Sequence, residues 1–155
     1  MENMNLGEAL SLLKKEKNKL VRLISLRKEN IYTEEGKTPE FNSKKLSQEI
    51  DSKIEDIRKL KIRIEKTNLN TKLSGDSIII SEAIIKVGDI RSKIAQLSNL
   101  FERKRSPWCM EKETKNLISQ LDEAEIEEEI EKLEIEKAKL DNKIQMTNWN
   151  TQLSD

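Results

Sequence analysis

Two short segments of this chain carry the residue types best suited to recognition chemistry. Thr67-Asn68-Leu69-Asn70-Thr71-Lys72-Leu73-Ser74 returns as Thr147-Asn148-Trp149-Asn150-Thr151-Gln152-Leu153-Ser154, with six of the eight positions identical. Each Asn offers a donor and an acceptor, each Thr a hydroxyl that does both, and Trp149 a flat apolar face. That set can hold a planar heterocycle or a sugar without reacting with it. The candidate ligand contacts are Thr147, Asn148, Trp149, Asn150 and Thr151 in the second segment, and Thr67, Asn68, Asn70 and Thr71 in the first. Leu69 stands where the second copy has Trp149, so the second copy is the better ligand candidate. Two structural readings compete. At a helix end, Asn tolerates the left-handed conformation and hydroxyls satisfy loose carbonyls. Alternatively, a buried polar layer fixes the register between helices.

A second candidate is the basic run Arg103-Lys104-Arg105, with Trp108 close behind it. Arg103 and Arg105 could clamp a phosphate while Trp108 stacks. The plainer reading is a helix C-terminus that places cations at the negative end of its dipole. The acidic run Glu127-Glu128-Glu129 with Glu131 reads as a solvated helix face, because it lacks the Glu-x-x-His companions of a di-iron bundle.

Covalent and metal chemistry find little support. The chain has no histidine, which removes the commonest general base and the commonest metal ligand. Its one cysteine, Cys109, has no internal disulfide partner. No Gly-rich phosphate loop and no nucleophile-base pair occur. The expectation is a protein that is not an enzyme and carries no cofactor and no metal. Twenty-nine basic residues balance 29 acidic ones, so net charge gives no pull toward nucleic acid or an acidic membrane. No apolar run reaches the roughly 18 residues of a membrane span. The opening Met1-Glu2-Asn3-Met4-Asn5 does not read as a signal peptide. A cytoplasmic location follows as the expectation.

The elements that must position these residues are long helices. Charged residues make up 37% of the chain and aromatics 3%, a mix that suits amphipathic helices over a broad globular core. The starts of the two halves also correspond: Leu6-Gly7-Glu8-Ala9-Leu10 against Ile80-Ser81-Glu82-Ala83-Ile84. The chain is therefore one domain over 1–155 with an internal duplication, its units roughly 5–74 and 79–154. Asn5 with Glu8 forms a capping-box pair at the first helix start. Leu6, Leu10, Leu13, Leu20, Ile24 and Ile31 supply that helix's apolar seam, with Lys17 and Arg27 in the missing places. The region 32–43, with Gly36 and Pro39, breaks the pattern as a loop. Leu46, Ile50, Ile54, Ile57, Leu60 and Ile64 line the second helix. Ser74-Gly75-Asp76-Ser77 is a turn. Ile80, Ile84, Val87, Ile94, Leu97 and Phe101 line the third helix. A second loop covers about 106–120, where Leu117, Ile118 and Leu121 suit a short strand or a packed loop. Asp122 with Glu125 caps a fourth helix lined by Ile126, Ile130, Leu133, Leu140 and Ile144. The predicted fold class is all-α: two tandem helical hairpins forming a four-helix, coiled-coil-like bundle. The apolar stripes are wider than one partner helix covers, which predicts completion by a homo-oligomer.

The elements Leu6-x-Glu8-Ala9-Leu10, Asn68-x-x-Thr71-x-Leu73 and Ile144-x-x-Thr147-Asn148-Trp149-x-Thr151-x-Leu153 resemble the septicolysin-like proteins, small helical proteins of bacteria and some phages. The match spans nearly the whole chain, with Pro107 to Asn116 fitting least well. The resemblance implies paired helical hairpins and an oligomer, and its name carries an association with haemolysis. Three functions are therefore in play. The first is a non-enzymatic oligomer that sequesters a small nucleotide-type ligand, for example a defence signal, in host cytoplasm if phage-borne. The second is a structural or adaptor coiled coil. The third is a cytolysin, for which no membrane-entering segment is evident. No nucleic-acid or membrane partner is expected.

Overall fold

The computed structural model describes residues 4–39, 41–101 and 118–154. Among these residues the fold is all-α, with four helices: α1 (Leu6–Glu29), α2 (Ser43–Asn70), α3 (Ile80–Ser98) and α4 (Glu123–Asn150). Helices α1 and α2 pair as one hairpin, α3 and α4 as the other, as the duplication predicts.

The chain divides into two compact units: 1–71 with 147–155, and 72–146. The first unit thus holds the α1–α2 hairpin together with the last turn of α4 and the segment after it. The second holds the turn after α2, all of α3 and most of α4.

Local signals start and stop the helices. Asn5 Oδ1 accepts from Glu8 N at 2.8 Å while Glu8 Oε2 accepts from Asn5 N at 2.8 Å, the predicted reciprocal box. At α3 the cap position is Ile79, whose backbone N–H donates to Glu82 Oε2 at 3.0 Å. Asn42 caps α2 through Lys44 N and Lys45 N. Asp122 caps α4 by accepting from Ala124 N at 2.8 Å.

The seam of α1 differs from the predicted one by a step. Its inward residues are Leu6, Ala9, Leu13, Glu16, Leu20, Leu23 and Arg27, which are buried or half-buried. Leu10, Ile24 and Lys17 are exposed, as are Ile31, Ile54 of α2 and Ile84 of α3. A 4-3 count started from Leu10 is one row off the 3-4 count through Ala9. Alanine lets the helices approach closely where leucine would have held them apart. Ile118 is 93% exposed and Leu121 half exposed, so neither packs as the strand or buried loop expected there. Leu117 and the run Arg103 to Asn116 lie outside the described residues.

At the middle of the first seam sits an ion pair. Glu16 contacts both Lys19 and Lys53, each at 2.7 Å, with the Glu16 side chain 13% exposed and that of Lys53 22%. Hydrogen bonds from Lys19 and then Lys53 hold the Glu16 carboxyl down at about 2, and Glu16 in turn raises the Lys53 ammonium. The equivalent residues of the second hairpin are Ile90 and Leu133, both apolar.

A depressed carboxyl pKa adds stability above the unfolded value and loses it as pH falls toward the folded value. Acid should therefore weaken the first hairpin between about pH 5 and pH 2. The double substitution Glu16→Ile with Lys53→Leu installs the second hairpin's solution. It should match or exceed wild type by about 1–4 kcal/mol in urea unfolding at pH 7 and flatten the acid limb. Glu16→Ala alone, which leaves Lys53 only its 3.9 Å contact with Asp56, should destabilise.

Candidate functional site

The two Thr-Asn segments end α2 and α4, and their Thr-Asn cores are buried: Thr67, Asn68, Thr147 and Asn148 are the buried polar side chains among the described residues. All four lie in the first unit. Threonine and asparagine compete with helical backbone bonding, so their burial here needs compensation.

For Thr67 the compensation is complete. Its hydroxyl donates to Arg63 O at 2.8 Å and accepts from Ser154 N at 3.0 Å. Arg63 Nε donates to Ser154 O at 2.9 Å, so both backbone groups of Ser154 are held by the last turns of α2. The segment after α4 then runs antiparallel to the chain start. Leu6 N donates to Thr151 O at 2.8 Å and Leu153 N to Met4 O at 2.9 Å. The second unit repeats this closure locally: Lys72 bridges Ile79, and Leu73 N donates to Ile78 O at 2.9 Å across a turn carrying Gly75 at φ 73. The positive φ explains the glycine, since an L side chain is strained there. No non-glycine residue among those described has positive φ, and the α2 cap residue Thr71 is extended. The left-handed Asn anticipated at these helix ends is thus absent there, because the hydroxyl and the bridge satisfy the loose groups.

The second segment behaves differently. Asn148 is buried, yet its side-chain carbonyl oxygen is enclosed and receives no hydrogen bond. An unpaired buried acceptor costs about 1–3 kcal/mol. Its neighbour Trp149 is 54% exposed. The indole lies on Gly7 so closely that a Cβ there would sit 2.8 Å from Trp149 Cδ2. Gly7 is therefore glycine because the ring needs its space. The duplicated positions pair the opposite way in sequence, Ser81 with Leu69.

The remaining candidates are spread out. Asn150 and Asn70 are exposed, and Asn70 Nδ2 donates back to Lys66 O at 2.9 Å. Thr71 and Thr151 are half-buried, and Thr151 contributes its backbone carbonyl. Arg103, Arg105 and Trp108 lie outside the described residues. Gly7, Arg63 and Ser154 were not singled out from the sequence. The Gly7/Ser81 difference between the repeats was the available signal for the first. Nothing local marks the other two, whose contacts span 91 residues.

A hollow of about 370 Å³ lies along one face of α1, lined by Ser11, Lys14, Lys15, Asn18, Lys19 and Arg22. Gly7 and Ser11 are one turn apart on α1, and Ser11 Oγ donates to Gly7 O at 3.0 Å. No group of His, Cys, Asp and Glu among the described residues is arranged to hold a metal. No helix among them is long and apolar enough to cross a membrane.

A model of a family of unknown function, DUF6847, matches residues 14–153. No curated protein matches the chain. The structure is similar to the crystal structure of a functionally unknown conserved protein from Corynebacterium diphtheriae. The two share a TM-score of 0.88 and 23% identity, covering 99% of this chain and 100% of the other. At that identity the likeness concerns the fold.

The Gly7–Trp149 contact makes a test by exchange. Gly7→Ser should push the indole off its seat and lower stability by about 1–3 kcal/mol. Adding Trp149→Leu recreates the Ser/Leu combination of the other copy and should recover most of that loss. A double-mutant cycle from thermal melts reads the coupling, and additive losses would deny the contact.

Proposed function

The chain belongs to that family of unknown function, and we propose that it is a non-enzymatic helical binding protein that takes a small nucleotide-type ligand at the Trp149 end of its first unit. One observation carries this reading. Trp149 keeps over half its surface in solvent while stacked on Gly7, beside a buried Asn148 carbonyl that lacks a donor. A side chain serving only as a core anchor would be covered, and a polar layer serving only for register would be satisfied, as Thr67 is. An exposed indole face suits a planar base.

Melting curves with adenine nucleotides, cyclic nucleotides and ADP-ribose test it. Wild type should be stabilised by at least one of them. Trp149→Leu should keep the fold, losing less than about 1.5 kcal/mol, while ligand stabilisation falls by the roughly 1–3 kcal/mol of a lost base stack. A wild-type curve that no nucleotide shifts, with large losses in Trp149→Leu and Asn148→Ala, leaves the structural reading. That second reading, an adaptor coiled coil, is favoured by Thr67, whose hydroxyl is fully used in joining α2 to the tail.

The same reading includes self-association. Leu10, Val21 and Ile24 put apolar surface on α1 outside its seam, and Ile84 and Ile85 do so on α3. Contiguous apolar surface of this kind is covered by a partner in stable proteins. Light scattering at micromolar concentration should give at least a dimer. A well-folded monomer there removes the oligomer from the proposal without touching the ligand.

A further inference from the structure

The α1 face that begins under Trp149 carries a cluster of exposed cations. Residues 7, 11, 14, 18 and 22 recur at helical spacing on one side of α1, with Lys15 beside them. Lys14, Lys15 and Arg22 there are exposed, and none makes an ion pair or hydrogen bond among the described residues. Several cations of the second hairpin are instead paired, although exposed lysines such as Lys17, Lys61 and Lys139 also lack a carboxylate partner among the described residues. In the second hairpin Lys86 pairs with Glu136 at 2.9 Å, Lys93 with Glu129 at 2.5 Å, and Lys143 with Asp76 at 2.9 Å.

The duplication supplies an internal control. Ser11, Lys14, Lys15, Asn18 and Arg22 correspond to Ile85, Gly88, Asp89, Ser92 and Gln96. The one cation kept, Lys93 in place of Lys19, is the one held by Glu129. The copy that lacks the cations also lacks glycine and tryptophan at the matching places, where it has Ser81 and Leu69. Aromatic platform, glycine seat and unpaired cations thus occur together on one face and are missing together from its equivalent.

We infer that the hollow on α1 holds an anion subsite at its Lys14 and Lys15 end, where these two side chains hold the phosphates of a nucleotide whose base stacks on Trp149. This rests on the ligand reading above and names its class: a small phosphorylated nucleoside, with a diphosphate or longer. The helix sets the scale. Lys14 is seven residues beyond Gly7, about 10 Å along the axis at 1.5 Å per residue. That is the order of the span from base to terminal phosphate in an extended nucleoside diphosphate. Ammonium groups free of carboxylates give charge-assisted bonds to phosphate oxygens. One tryptophan seated on Gly7, a turn before the first residue of the hollow, offers a single stacking face, so a polynucleotide is the alternative the test must reject.

Calorimetric titrations of the full chain with adenosine, AMP, ADP, ATP and inorganic pyrophosphate separate the parts. Affinity should rise at least about tenfold from adenosine to ADP. Lys14→Gln with Lys15→Gln should remove that gain and abolish pyrophosphate binding, with an unchanged melt because both side chains are exposed. Lys93→Gln, the matching site in the other copy, should change nothing. Trp149→Leu should weaken every base-bearing ligand and leave pyrophosphate alone. Adenosine and ADP binding equally, or a phosphate gain that survives the double substitution, overturns the subsite while the base-binding reading stands. Pyrophosphate binding through Lys14 and Lys15 with no response to Trp149→Leu keeps the subsite and overturns base stacking. Silence from all five ligands removes both. A single-stranded oligouridylate that binds more tightly than ATP through the same residues overturns the small-nucleotide assignment.

Discussion

The fold depends on short antiparallel pairings that tie the segment following a long helix to the segment preceding one. In the first unit Leu153 N reaches Met4 O and Leu6 N reaches Thr151 O; in the second, Leu73 N reaches Ile78 O. A two-residue bridge is marginal alone. It persists here because apolar side chains are driven inward on either side of it. Leu6 and Ile80 are fully buried and Leu73 nearly so. Each such burial contributes about 1.5–3 kcal/mol. The hydroxyl of Thr67 and the guanidinium of Arg63 grip Ser154 from the end of α2, which joins both helices of the first hairpin to the chain's last segment. Start, middle and end of the chain are thereby held at one place.

Between these closures the hairpins follow ordinary coiled-coil rules, with one exception. Ion pairs flank the second seam, but Lys86, Glu136, Lys93 and Glu129 are each about half exposed, and such pairs contribute little. Its stability comes from Val87, Ile90, Leu140 and Ile144. The first seam instead encloses Glu16 and Lys53. A largely enclosed pair costs desolvation that its attraction barely offsets, and its use is to fix which helix faces which. Glu16 opposite the second hairpin's Leu133 would keep only Lys19 of its own helix and lose Lys53, so the pair disfavours an exchanged hairpin of the kind a duplicated sequence invites.

Much of this was legible in the sequence because it rests on local chemistry. The capping box of Asn5 and Glu8, the turn at Gly75, the loop before Ser43 and the four-helix count follow from residue type and spacing. The seam of α1 was read one row off, since Leu10 and Ile24 are more apolar than Ala9 and Glu16. Composition cannot show that a small residue and a paired carboxylate face the partner helix. The role of the Thr-Asn segments was divided in the same way. Their polarity announced special positions, but whether Thr67 met a ligand or Ser154 depended on residues 87 apart in the chain.

The comparison of the two copies separates scaffold from specialisation. What both copies keep (Thr67 and Thr147, Asn68 and Asn148, Leu73 and Leu153) is buried in both, and the fold accounts for all of it but the unpaired Asn148 carbonyl. What they do not keep requires another account. Lys14, Lys15 and Arg22 are exposed, and their counterparts Gly88, Asp89 and Gln96 are exposed too, so neither packing nor solubility demands cations there. Trp149 is more exposed than a stabilising tryptophan would be, and Gly7 forgoes helix propensity worth about 1 kcal/mol to seat it. These departures are gathered on one side of α1. The framework residues explain why the chain folds as a repeat, and the departures from repetition show where its two halves stopped being interchangeable.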